Sequence, residues 1–163
     1  SLGSTVNGTI SKAGEQDIYT FYATAGKRLL FDSIVSTDES IKLLSPSGLE
    51  IFNPKDSKYK ELFTLSESGT YRIIVDAPGE KTIPQYSFRF LDVDVAASLT
   101  NGSRQNVTVA ANQTQLYRFT GTAGQNLYIE NNYTGAQSAW TLYGPGNQII
   151  ASADSGVDRE LPI

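Results

Sequence analysis

Carboxylates carry most of the chemical scope in this sequence. The densest acidic spots are Asp38 and Glu39 in "TDES", and Asp154, Asp158 and Glu160 in "DSGVDRE". Two carboxylates flanking one bond is the arrangement of glycoside hydrolysis. Both spots fall at the ends of apolar runs or between them, where solvated charge is the simpler account. Much of the rest of the catalytic repertoire is closed. The chain has no His and no Cys, which removes the commonest general base, the commonest transition-metal ligand, thiolate nucleophiles and disulfides. A Ser-His-Asp triad cannot form. No Gly-rich loop opens a helix to cradle phosphate. The residues predict a non-enzyme, with no cofactor required.

Binding chemistry is better represented. Trp140 is the only Trp and stands in "SAWTLYGPGN" three residues before Tyr143. With Tyr133 these aromatics could stack on a sugar, although a lone Trp more often fills a core. Lys55, Lys58 and Lys60 in "KDSKYKE" form a small basic cluster diluted by Asp56 and Glu61. It reads as a surface loop, since nucleic-acid sites need a broader patch with stacking aromatics. Net charge is −4, which disfavours nucleic acid and anionic membranes. No apolar run is long enough to cross a bilayer, so no membrane insertion is expected. Five Asn-x-Ser/Thr sequons (Asn7, Asn101, Asn106, Asn112, Asn132) reflect a composition rich in Asn, Ser and Thr.

The elements that position these residues read as strands. Nine Tyr and seven Phe stand among Val, Ile and Thr, which suit pleated, half-buried surfaces. Turn signals such as "SPSG", "APG", "TAG" and "GPGN" recur at short intervals, and no amphipathic helical window is present. The fold class expected is all-β: antiparallel, jelly-roll-like sandwich repeats in tandem.

The tandem reading comes from a duplicated sentence. "YTFYATAGKRLLFD" (19–32) returns as "YRFTGTAGQNLYIE" (117–130), identical at six of fourteen positions. Chance matching at average residue usage gives about one. "LLSPSGLEIF" (43–52) likewise parallels "LYGPGNQIIA" (142–151), and "LFTLSESG" has a partial echo in "DRELPI". The shared block predicts a β-hairpin. Its Tyr19, Phe21, Leu29 and Phe31, with Tyr117, Phe119, Leu127 and Ile129, are candidate core. Gly26 supplies the positive φ of the turn. Short strands are expected near 5–10, 41–44, 49–52 and 62–65, with longer ones in "GTYRIIVDA" and "QYSFRFLDV". Residues 1–95 make the first repeat and 96–163 the second. The second has no equivalent of the last two strands, so it is expected to be truncated at its C-terminus and completed by a neighbour, or poorly ordered.

The string "NGTI … GEQDIYTFYATAGKRLLFD … IKLLSPSGLEIF … LFTLSESGTYRIIVD … YSFRF" resembles the bacterial pre-peptidase C-terminal domain family. The resemblance covers residues 1–93 fully and 98–163 in part. It implies a small β-sandwich appended to secreted peptidases or repeated in surface proteins. The function it implies is that of a non-catalytic extracellular binding or spacer module of a larger secreted or cell-surface bacterial protein. The alternative is a carbohydrate- or matrix-binding accessory domain of an exported hydrolase, using Trp140, Tyr143 and Tyr133. Expected partners are neighbouring domains of the parent protein, a polysaccharide or an extracellular matrix protein. Some relatives bind calcium, which would place Asp17 and Glu15 at a metal site in the first repeat. The acidic segment that such relatives carry before the first strand is absent here, and Gln115 replaces the Asp in the second repeat. A hard cation wants about six to eight oxygen ligands, more than these two residues supply.

Overall fold

Large side chains at every second position set the strands of the first half. The computed structural model describes residues 1–37, 39–52, 60–77, 85–132, 138–154 and 156–162. Up to residue 92 there are eight strands: β1 (Val6–Thr9), β2 (Gln16–Ala23), β3 (Arg28–Ser36), β4 (Ser40–Leu44), β5 (Glu50–Phe52), β6 (Lys60–Thr64), β7 (Gly69–Asp76) and β8 (Gln85–Asp92). They form two four-stranded sheets, β1-β8-β3-β6 and β2-β7-β4-β5. Every pairing within them is antiparallel. This interleaving is that of a jelly roll. The fold is an all-β sandwich.

The core lies between the two sheets. Leu29, Phe31, Phe63, Phe88 and Phe90 come from one sheet, and Ile41, Leu43, Phe52, Tyr71, Ile73 and Val75 from the other. Phe90 is the hub, with its ring within 6.2 Å of those of Phe21, Phe31, Phe52, Phe63 and Phe88, centroid to centroid. Each fully buried aromatic of this kind contributes about 1.5–3 kcal/mol by area.

The block from Tyr19 to Asp32 is not the hairpin expected. β2 and β3 lie in different sheets, so Tyr19 and Phe21 meet Leu29 and Phe31 from across the core. The step between sheets is taken at Thr24–Lys27. There the Gly26 N–H donates to the Leu65 carbonyl and the Leu65 N–H donates back to that of Lys27. Gly26 does adopt positive φ, at 84°. Crossing wins over pairing because β3 is flanked on both edges by strands that bury its apolar rows, β6 and β8.

A short 3₁₀ turn (Val93–Val95) follows β8. Next come β9 (Ala97–Ser98) and β10 (Tyr117–Arg118), which pair in parallel. Compactness divides the chain into two units, Ser1–Arg118 and Phe119–Ile163. Residues 96–118, which open the second sequence repeat, thus sit with the first unit.

The second unit holds β11 (Asn126–Ile129), β12 (Ala139–Tyr143), β13 (Ile149–Asp154) and β14 (Arg159–Pro162). They pair as two antiparallel two-stranded sheets, β11-β14 and β12-β13. Gly124 repeats the conformation of Gly26, with φ of 81°. Among the described residues, every buried hydrophobic side chain lies in the first unit.

Candidate binding surfaces

The solvent face of the β2-β7-β4-β5 sheet is the most distinctive exposed surface. Alternation turns Tyr19, Phe21, Tyr71, Ile73, Ile41 and Leu43 inward and leaves a second row outward. Ile18, Ile74 and Lys42 lie side by side across three strands, and Thr20, Arg72 and Leu44 form the next row. Tyr22 follows, opposite Thr70. Ile18 is 57% exposed and Tyr22 69%. A solvated strand would normally place polar groups there. Instead the face mixes apolar and aromatic side chains with two cations, a composition suited to a protein or polysaccharide partner. The double apolar alternation of "IYTFY" was the sequence signal for it.

Asp17 and Glu15, the metal candidates, both accept hydrogen bonds from the protein. The Tyr86 hydroxyl donates to Asp17. The Tyr19 hydroxyl lies 2.7 Å from that of Tyr86 and, with the Tyr86 proton on Asp17, donates to it. Burial, the Asp17 carboxylate and the Tyr19 hydroxyl together push the Tyr86 phenol far above its ordinary value. Tyr86 lies so close over Gly8 that any side chain there would collide with its ring. Glu15 receives the Ser11 and Lys12 N–H groups at 2.7 and 3.1 Å. The two carboxylates therefore close a turn and anchor a buried tyrosine.

The aromatic candidates are not brought into one strip. Trp140 and Leu142 share one face of β12, and Tyr143 lies on the other. The indole ring is half-buried, and its N–H is enclosed without an acceptor among the described residues. Tyr133 lies outside the described residues. So do Asp38, Lys55 and Lys58. Of the second acidic spot, Asp158 accepts from the Tyr128 hydroxyl and the Asn131 N–H at 3.0 and 2.8 Å, which raises the Tyr128 phenol. Asp154 lines a shallow hollow with Arg159, Ala139 and Val157.

One cluster escaped sequence reading. Asp32 sits on the outward face of β3 and is fully enclosed. Lys60, expected in a surface loop, belongs to β6 and donates to one Asp32 oxygen. The Arg89 Nε and the Thr114 N–H donate to the other at 2.8 and 3.1 Å. The same two cations also reach the carbonyls of Asn112 and Thr114, at 3.1 and 2.6 Å. Residues 112–114 are thus strapped over the outer face of the first sheet by one carboxylate and two cations. Burial alone would raise the Asp32 carboxyl, but donation from Lys60, Thr114 and Arg89 outweighs it and holds the carboxyl below its ordinary value. The signal available in the sequence was a lone Asp inside the apolar run "LLFDSIV".

No protein-family model matches the chain. No curated protein matches it. Among solved structures it is similar to the crystal structure of Aeromonas hydrophila PliG, a periplasmic lysozyme inhibitor of g-type lysozyme. The identity is 17% and the TM-score 0.44, over 53% of this chain and 84% of that one.

Proposed function

We propose that the chain is a non-catalytic binding or spacer module of a larger exported bacterial protein, of the pre-peptidase C-terminal kind. It engages its partner through the outer face of the β2-β7-β4-β5 sheet. The observation that carries this reading is the exposure of Ile18 and Tyr22 beside Ile74, Leu44, Lys42 and Arg72 on a rigid sheet. Holding these apolar groups in water gains the fold nothing, whereas a partner that covers them gains their burial. The carboxylates nearest to a chemical role support the same reading. Asp17, Glu15, Asp32 and Asp158 are each held by donors of the protein.

The test is binding of the intact chain to a panel of polysaccharides and extracellular matrix proteins, with and without calcium. Ile18→Ser/Tyr22→Ser serves as the comparison. Both residues are exposed, so the variant should fold normally. Loss of binding by about tenfold or more in the variant is expected. Equal binding by variant and parent would remove this face from the account, and silence across the whole panel would leave only the spacer role.

A further inference from the structure

Strand register orders the outward side chains of the β2-β7-β4-β5 sheet into rows. Tyr22 lies opposite Thr70, Arg72 lies between Thr20 and Leu44, and Lys42 lies opposite Ile74. Tyr22, Arg72 and Lys42 therefore fall on one diagonal, each a strand across and one row along from the last. Diagonal neighbours on a sheet face stand about 7–8 Å apart. Ile18 and Ile74 flank this line on one side, and Leu44 on the other.

The two cations of the diagonal are uncompensated. Lys27, Lys60 and Arg89 each form an ion pair. Among the described residues, no carboxylate pairs with Arg72 or Lys42. Asp76 shares their face but accepts the Gln16 side-chain amide at 3.0 Å. Covering a cation costs its hydration unless an anion meets it. A neutral cover would leave both cations unpaired, so the cover that fits carries negative charge. The aliphatic neighbours decide its class. Tyr22 is the one aromatic on this face among the described residues, too little for a sugar-stacking strip. Ile18, Ile74 and Leu44 beside a Tyr and an Arg have the make-up of a protein interface.

We propose that the diagonal receives an extended acidic segment of a partner protein, with an apolar residue over Tyr22 and Asp or Glu over Arg72 and Lys42. The inference rests on the reading of this face as the binding surface and adds the chemistry of what it binds. Same-side residues of an extended chain recur at every second position, about 6.6–6.8 Å apart. That repeat matches the diagonal step. The segment is therefore apolar-x-acid-x-acid, counted from Tyr22 to Lys42 in either chain direction. Arg72 offers its carboxylate a planar fork of donors, and Lys42 offers a point charge.

The probe is the end-capped peptide Leu-Thr-Glu-Thr-Glu-Thr, titrated to millimolar concentration into the intact chain and followed by amide NMR shifts. The expected result is saturable shifts at Ile18, Tyr22, Lys42, Arg72 and Ile74. Binding should weaken by about tenfold with the peptide Leu-Thr-Gln-Thr-Gln-Thr, in the variant Arg72→Gln/Lys42→Gln, and when salt is raised to about 1 M. Both cations point to solvent, so the variant should fold normally. Three outcomes would overturn the inference: no shift on this face at millimolar peptide, equal binding by the Gln peptide or the Gln variant, or equal binding by a polyuronate oligosaccharide, which would mean that the face reads charge alone. Ile18→Ser/Tyr22→Ser separates the inference from the reading beneath it. Peptide binding that survives the Gln variant but is lost in the Ser variant would keep the face and remove its acidic partner. Binding unchanged in both variants would remove the face itself.

Discussion

Leu29 and Leu127 follow the same Thr-Ala-Gly turn and face partners in the same register, yet Leu29 is fully enclosed and Leu127 is half-exposed. The two positions separate what neighbouring residues determine from what a complete sheet determines. Turn geometry and pairwise register need only a few residues on each side, so they recur in both units. Burial needs a strand on each flank, which Leu29 has and Leu127, among the described residues, does not. The large free-energy differences between the units should therefore come from packing, and the small ones from backbone conformation.

The largest effect expected is at Phe90. Phe90→Ala removes the ring that touches five other aromatic rings and should cost about 3–5 kcal/mol. Denaturant unfolding followed by tyrosine near-UV circular dichroism measures it. Leu127→Ala, read by the fluorescence of Trp140, should cost less than about 1 kcal/mol, because a half-exposed site leaves little cavity. A comparable cost at the two positions would mean that the second unit is packed as tightly as the first, and the contrast would fail.

Asp32 tests the contrast with charge. Its counterpart Glu130 is exposed and accepts a side-chain amide, from Asn132 at 2.8 Å. Asp32→Ala leaves Lys60 and Arg89 without their shared anion and should cost about 3 kcal/mol, with faster exchange of the Thr114 amide. Glu130→Ala should change nothing measurable. The pH dependence follows from the lowered Asp32 carboxyl. A depressed carboxylate contributes stability that is present above its unfolded value and lost as pH falls through its folded value. The strap over 112–114 should therefore hold at neutral pH and loosen only below 3.8, the ordinary value for this group. Release at mildly acidic pH would mean that Asp32 is not the anchor.

The all-β class and the strand positions were legible because alternation is strong: Tyr71, Ile73 and Val75, or Tyr86, Phe88 and Phe90, can face only one way. Gly26 and Gly124 marked their turns for the same local reason. Sheet membership was not legible. "YTFYATAGKRLLFD" has the alternation of a hairpin, and nothing within it says that β6 and β8 will occupy both edges of β3. The Asp32 cluster was hidden for a related reason. Its four members come from positions 32, 60, 89 and 114, and only the sheet order brings them together. The outward Ile18 and Tyr22 were visible as a second apolar row, and the odd spacing of Trp140 and Tyr143 already put them on opposite faces of one strand.

The smallest effect expected is at the paired turns "SPSG" and "GPGN". Gly48 and Asn147 hold equivalent positions with φ of 89° and 65°. A Cβ at Gly48 would meet nothing within 4 Å, so Gly48→Ala measures the backbone cost alone, about 1 kcal/mol for an L-residue in the left-handed region. Asn tolerates that region through its short polar side chain, so Asn147→Gly should fall within about 0.5 kcal/mol of the parent. Asn147→Ala should cost about the same as Gly48→Ala, read on Trp140 for the second unit and on tyrosine circular dichroism for the first. Equal costs would establish the turn as a local device that works whether or not its sheet is filled. A cost at Gly48 with none at Asn147 would mean that even the turn depends on the packing around it, and the division between local geometry and burial would have to be redrawn.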